Sequence, residues 1–142
     1  MKNSFKHLIS FTTLIFFFFI GIASSDDAET EENIANVKPE YTVSAQELYK
    51  AYEDNGVAAD EKYKDKVILV NGIVETIDKD ITDAIYVTLK TSMYLASVQC
   101  LFADSHTKEA ANLKKGMKVS IKGKVDGKLG NVILRGCTLE SK

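Results

Sequence analysis

Histidine and cysteine are scarce in this 142-residue sequence, with two of each. His7 falls in the N-terminal region, which leaves His106 alone with Cys100 and Cys137. That set does not give the ligand spacing of a zinc site, so no metal and no cofactor is expected. His106 follows Asp104 and Ser105 near the start of a short helix. There it reads as an exposed capping-region residue rather than one arm of a nucleophilic triad. No glycine-rich phosphate loop occurs, and no paired carboxylates stand at a strand end. An enzyme is therefore not expected, and no residue is singled out as catalytic. Proline occurs once, at Pro39. No cysteine lies near the end of the N-terminal apolar run, which argues against a lipid-anchored form.

What the sequence does have begins with that run. Lys2, Lys6 and His7 form a positive region ahead of Leu8 to Ile22, which is uncharged and includes Phe16 to Phe19. Gly21-Ile22-Ala23 places small residues at −3 and −1 of a cleavage after Ala23, and Ala23-Ser24-Ser25 offers a second site. Residues 1–23 read as a signal peptide. The alternative is an uncleaved anchor, although a spanning helix needs ~20 apolar residues and this run is shorter. The expected location is the periplasm or cell envelope, with inner-membrane anchoring as the alternative.

Residues 24–40 carry Asp26, Asp27, Glu29, Glu31, Glu32 and Glu40 and few large apolar side chains. They read as an acidic disordered linker, because so little apolar surface cannot offset ordering entropy. Residues 41–142 are then one domain. Charge is uneven: residues 26–65 hold 4 Lys against 12 Asp and Glu, whereas residues 66–142 hold 11 Lys and 1 Arg against 8. A mildly basic half behind an acidic arm permits anion binding, far short of the charge that dominates nucleic-acid affinity.

The domain opens with a helix expected over 44–64. Ser44-Ala45-Gln46-Glu47 is a capping box, and Val43 and Leu48 fall where a hydrophobic staple belongs. Leu48, Ala51 and Tyr52 recur at i, i+3, i+4, and Asn55-Gly56 is a stop signal. Tyr49, Tyr52 and Tyr63 read as packing residues. Val67 to Ile77 follows as a long strand whose central Gly72 suits a bend or bulge. Ala84 to Lys90 alternates, with Ile85, Val87 and Leu89 inward and Tyr86, Thr88 and Lys90 outward. Ser97 to Ala103 alternates again. Ser105 or Thr107 caps a short helix through Leu113. Met117 to Val125 puts Met117, Val119, Ile121, Gly123 and Val125 on one face and Lys118, Ser120, Lys122 and Lys124 on the other. Asp126 to Gly130 is hairpin-turn chemistry. In Asn131 to Leu139, simple alternation puts Arg135 and Cys137 on the same side, so its facing is ambiguous. The order β-β-β-α-β-β over 66–139 gives a mainly β fold, a five-stranded OB-fold barrel with an N-terminal helical extension.

The residues also resemble a family. Asn55-x-x-Ala58-Ala59-x-x-x-Tyr63-Lys64-x-Lys66, Val70-x-Gly72-x-Val74, Val98-x-Cys100-x-Phe102, Leu113-x-x-Gly116-x-x-Val119-x-x-x-Gly123 and Leu134-x-x-Cys137 occur in the order and spacing of the tRNA-anti-like OB-fold family. The resemblance covers Tyr41 to Leu139. It implies a small exported or lipoprotein-like binding domain, with nucleic acid as partner by family name only.

An OB barrel usually binds on the outer face of its second and third strands. That face would carry Tyr86, Thr88, Lys90 and Gln99, with Met93 and Tyr94 beside it. The expected role is a non-catalytic, monomeric module of the envelope, whose partner is an envelope protein or glycan. The alternative is single-stranded nucleic acid, with Tyr86 and Tyr94 stacking on bases and Lys118, Lys122 and Lys124 on phosphates. The lysine row has a plainer reading as a solvated, edge-guarding face. Cys100 and Cys137 lie on strands that close against each other in such a barrel. In an oxidising compartment they are candidates for a disulfide, against two separately buried thiols.

Overall fold

The computed structural model describes residues 34–141. The signal or anchor expected at 1–23 and most of the expected linker lie outside the described residues. The elements are β1 (Tyr41–Ser44), α1 (Ala45–Asp54), α2 (Gly56–Tyr63), β2 (Val67–Lys79), β3 (Ile85–Lys90), β4 (Ser97–Phe102), α3 (Thr107–Ala111), β5 (Lys118–Leu129) and β6 (Asn131–Leu139). Single 3-10 turns stand at Ile34–Asn36 and Asp104–His106.

The barrel closes in the order β2-β3-β4-β6-β5, with β5 returning to β2. All of its pairings are antiparallel except β4 with β6. This is the expected five-stranded OB architecture. A sixth strand, β1, was not anticipated. It runs parallel to the first half of β2, from Tyr41 opposite Ile68 to Ser44 opposite Asn71. Four half-exposed residues are too few to show an alternation.

One strand serves both sides of the barrel. β2 pairs with β5 over Val67 to Ile73 and with β3 over Val74 to Lys79, with a bulge between Val74 and Thr76. Gly72 sits just before this switch. A Cβ there would lie 3.0 Å from Leu89 Cβ and 3.3 Å from Ala45 Cβ. The missing side chain lets β3 and the start of α1 close over the bend. β6 has its own bulge: Lys122 faces Thr138 and Lys124 faces Arg135, so three residues of β6 span two of β5. Gly136 takes a left-handed conformation there (φ 62°). The extra residue resolves the ambiguous facing, turning Arg135 outward while Cys137 is buried.

The helical segment expected over 44–64 is two helices, divided at the expected stop Asn55-Gly56. The capping box is present, with Ser44 Oγ accepting from Glu47 N–H (3.1 Å) and Glu47 Oε2 accepting from Ser44 N–H (2.8 Å). Asn55 then takes an extended conformation, ends α1, and caps α2 by accepting from Ala58 N–H (3.1 Å). Leu48, Tyr49 and Tyr52 bury one face of α1, which packs on β2, β3, β4 and β6. Leu48, Ile68, Leu89, Ile121 and Leu134 are fully buried, each worth ~1.5–3 kcal/mol of transfer free energy.

α3 covers another part of the barrel, against β3 and β6, without the side-chain cap expected from Ser105 or Thr107. His106 is not the exposed capping residue expected. It is half-buried, its Nδ1 lying 2.7 Å from Glu109 Oε1. Glu109 Oε2 also accepts from Thr138 Oγ1 (3.1 Å) and Leu139 N–H (2.8 Å), which ties α3 to β6. Burial raises the Glu109 carboxyl, but the bonds from Leu139, His106 and Thr138 outweigh it and hold the group below its ordinary range.

The domain begins earlier than Tyr41. Ile34 is buried, and the carbonyl of Ala35 accepts from Lys122 Nζ (2.7 Å). At least residues 34–36 of the expected linker are therefore packed on the barrel. Among the described residues no helix is long and apolar enough to cross a membrane. Cys100 and Cys137 are free, fully buried thiols in this structure. Their strands are adjacent as expected, because β4 pairs with β6. The bulge sets Cys137 opposite Phe102 and Cys100 opposite Leu134, and both fill the core as small apolar groups. Burial, then the neighbouring Cys100, raises the Cys137 thiol well above its ordinary range.

Candidate ligand-binding cleft

Strand register builds a polar strip on the outer face. Thr88 stands opposite Thr76 on one side and Gln99 on the other, and Lys90 stands opposite Ser97. The parallel pairing of β4 with β6 brings Asn131 to the same place. Its Oδ1 accepts from the N–H and the Oγ of Ser97 (both 3.1 Å), and its Nδ2 donates to Gln99 Oε1 (3.2 Å).

Beside this strip the loop 91–96 rises as a lip. Thr91 Oγ1 donates to Ala96 O (2.5 Å) and accepts from Met93 N–H (3.3 Å), which closes the loop on itself. Leu95 is held in the left-handed region (φ 61°), a strained conformation for a bulky side chain. The closure leaves Met93, Tyr94 and Leu95 exposed, Tyr94 at 91%. Strip and lip enclose a cleft of about 580 Å³. Its only ionisable carboxylate and ammonium are Glu75 and Lys90, so it has no net charge.

Three buried side-chain polar atoms lack a hydrogen-bond partner among the described residues: Tyr52 Oη, Asp60 Oδ1 and Thr88 Oγ1. The first two belong to one interaction. Burial pushes the Tyr52 phenol far up, and Asp60 beside it adds to the rise, so these groups answer each other despite imperfect geometry. Thr88 has no such counterpart. It is only 8% exposed and it lines the cleft. The alternation put it on the outer face correctly, but the loop and neighbouring strands bury it there.

The remaining anticipated residues divide. Lys90 and Tyr94 line the cleft; Gln99 supports it through Asn131. Tyr86 is half-buried between Asp78 and Leu101 and reaches neither principal cleft. The expected lysine row is broken up. Lys118 is exposed, Lys124 is half-buried on a second cleft, and Lys122 is 3% exposed and bonded to Ala35 O and Glu140. Lys122 is thus no anion contact. The packed segment 34–36 covers it, a long-range effect that strand alternation cannot show. Asn131, Thr91, Ser97 and Thr76 were missed. Asn131 follows Gly130 at a turn, but only the β4–β6 pairing places it on the face.

The second cleft, about 510 Å³, carries Asp65, Asp80, Asp104, Asp126, Lys124 and Arg135. Its charges are largely internally answered. Arg135 Nε donates to Asp126 (2.7 Å), and Asp80 accepts from Thr82 N–H, Thr82 Oγ1 and Ala84 N–H. The bonds from Thr82 lower the Asp80 carboxyl below its ordinary value.

A closed five-stranded barrel with this strand order, carrying a polar cleft on its outer face, is an OB-fold domain. The chain belongs to the tRNA_anti-like family, whose model matches residues 1–138. No curated protein matches it. Among solved structures, that of a "putative nucleic acid-binding lipoprotein" from Klebsiella pneumoniae subsp. pneumoniae MGH 78578 superposes with a TM-score of 0.58 at 18% identity. The match covers 70% of this chain and 91% of that one. At this identity the likeness speaks for the fold.

Proposed function

We propose that this protein is an exported, non-catalytic binding module of the cell envelope that takes its ligand in the cleft between the β2–β3–β4 face and the loop 91–96. The observation that carries the reading is Thr88, a buried hydroxyl without a partner beside the exposed ring of Tyr94. Buried polar groups in folded proteins are normally paired, so a lone one on a cleft wall points to a missing partner. Export is supported by the charge layout of residues 1–23 and by the lipoprotein description of the structural neighbour. The partner is an envelope protein or a glycan, bound by a monomer.

Single-stranded nucleic acid is the second reading. It is favoured by the family, by Tyr94 as a stacking platform, and by Lys114, Lys115 and Lys118, exposed in and after the α3–β5 loop. Charge weighs against it: residues 34–141 hold 14 Lys and 1 Arg against 8 Asp and 7 Glu. A titration with a single-stranded oligonucleotide at two salt concentrations, repeated with Tyr94→Ala, separates the readings. Weak binding that vanishes as salt rises supports the first. Tight binding that survives salt and is lost with Tyr94→Ala establishes the second. Fractionation with sequencing of the mature N-terminus tests export: protein retained in the cytoplasm with residues 1–23 intact refutes it.

A further inference from the structure

The geometry points to a neutral oligosaccharide as the ligand class of the cleft, which rests on the reading of that cleft as the binding site. Six of its twelve lining residues are hydroxyl or amide side chains: Thr76, Thr88, Thr91, Ser92, Ser97 and Asn131. Such groups both donate and accept, as sugar hydroxyls do. Thr88 Oγ1 is the buried one among them with no partner. Oγ1 is itself buried, and one staggered step about χ1 carries the hydroxyl to the methyl's position and the methyl to the hydrogen's, so pairing with a ligand hydroxyl in the cleft goes with that change of rotamer.

The lip supplies the other half of sugar chemistry. Pyranose rings present a C–H face that packs flat on an aromatic ring, and Tyr94 stands 91% exposed between Met93 and Leu95. Its phenol leaves an apolar ring face beside a polar tip. The bonds from Thr91 to Ala96 and Met93 hold the loop before any ligand arrives, which lowers the ordering cost of binding. The volume lies within the ~300–1,000 Å³ of small-ligand sites, enough for a short oligosaccharide segment.

Charge excludes the polyanionic alternative from this cleft. A nucleic-acid site holds phosphates with several cations, and its affinity falls with salt in proportion to their number. Here the single ammonium of Lys90 is matched by Glu75. Lys114, Lys115 and Lys118 do not line the cleft.

The test uses the full-length secreted chain and four probes: chitohexaose, cellohexaose, maltohexaose and a twelve-residue oligothymidylate. Backbone amide shifts in two-dimensional NMR give both affinity and location. At least one sugar is expected to shift the amides of Thr88, Tyr94 and Asn131, with an affinity unchanged between about 50 and 200 mM salt. Tyr94→Ala and Thr88→Val should each weaken it about five- to tenfold, the size of one hydrogen bond or ring contact. Thr88→Val keeps shape and volume, so its loss of binding is not a folding defect. If the oligothymidylate shifts these amides and no sugar does, the cleft stands as the site and the glycan class falls. If sugars bind but neither variant weakens them, or shifts lie elsewhere, the proposal is overturned. Silence of the cleft amides toward all four probes removes the cleft reading as well.

Discussion

Two threonine-to-valine substitutions a few residues apart should move stability in opposite directions. Thr88 and Thr91 are each 8% exposed and both line the cleft. Thr91 Oγ1 makes two hydrogen bonds, to Ala96 O and from Met93 N–H. Thr88 Oγ1 makes none. Valine has nearly the same shape and suits a strand at least as well. Replacing Thr91 removes formed bonds and leaves Ala96 O and Met93 N–H short of a partner, at a cost of about 1–2 kcal/mol. Replacing Thr88 removes only a desolvated group, so stability should rise by about 1 kcal/mol. In a domain of this size that is about 4 °C in Tm. The assay is thermal and urea unfolding of the protein with each substitution, and Thr88→Ala as a third variant that loses the buried methyl and falls below wild type. A Thr88→Val protein no more stable than wild type would refute the reasoning, because it would mean that the hydroxyl already has a partner, such as a bound water. The inference of a missing ligand group would then lose its support.

Gly123→Ala should destabilise by about 1–3 kcal/mol, because its Cβ would fall 2.7 Å from Cys137 Sγ and 2.9 Å from Leu134 Cβ. Gly56→Ala, in open space at the start of α2, should instead be neutral or slightly stabilising in the same urea series. Lys122→Met should free residues 34–36, seen as faster amide exchange at Val37, whose N–H bonds Ile34 O; the global loss stays under about 2 kcal/mol because methionine fills the buried space. Glu109 titrates below its ordinary value of 4.5 in the folded state, so its contribution is complete above that pH and is lost as pH falls through the lowered value. Glu109→Gln should therefore reduce stability at neutral pH and flatten the acid limb of the stability profile, measured by unfolding across pH 2–7.

Local signals carried the barrel. The capping box, the glycine in the long strand and the alternation in β3, β4 and β5 were legible because each is written within a few residues. Gly72 announced a bend, and the bend is where β2 changes partner. What stayed hidden depends on distant segments. Lys122 alternates with Ile121 and Gly123 as a solvent-facing residue should, yet the packed turn at Ile34–Asn36 covers it. Met117 alternates as a core residue, yet it precedes β5 and is 43% exposed. Arg135 and Cys137 share a parity in sequence but not in space, because Gly136 adds a residue to the strand. The face that carries the cleft was named from the fold. The residues that line the cleft were not all named, since Asn131 arrives through a parallel pairing and the lip is built by a bond inside the loop.

These departures from ordinary stability converge on one place. Leu95 at φ 61° costs of order 1–3 kcal/mol. Thr88 Oγ1 adds an unpaired buried hydroxyl, and Tyr94 leaves most of a large ring in water. Elsewhere buried polar groups are answered, since Lys122 is bonded twice, Glu109 accepts from three groups and Tyr52 has Asp60, although Asp65 and Asp83 also take positive φ and Ile81 and Leu129 are also exposed. Strain, an orphan donor and an exposed aromatic would be independent accidents if scattered over the surface. All three border one cleft of about 580 Å³. A single ligand that accepts from Thr88 and covers Tyr94 relieves two of them at once, while the strained Leu95 helps hold the lip open for it. The same reasoning accounts for a cleft in which Lys90 is matched by Glu75: a ligand recognised by hydroxyls and a ring face needs no long-range attraction to find its site.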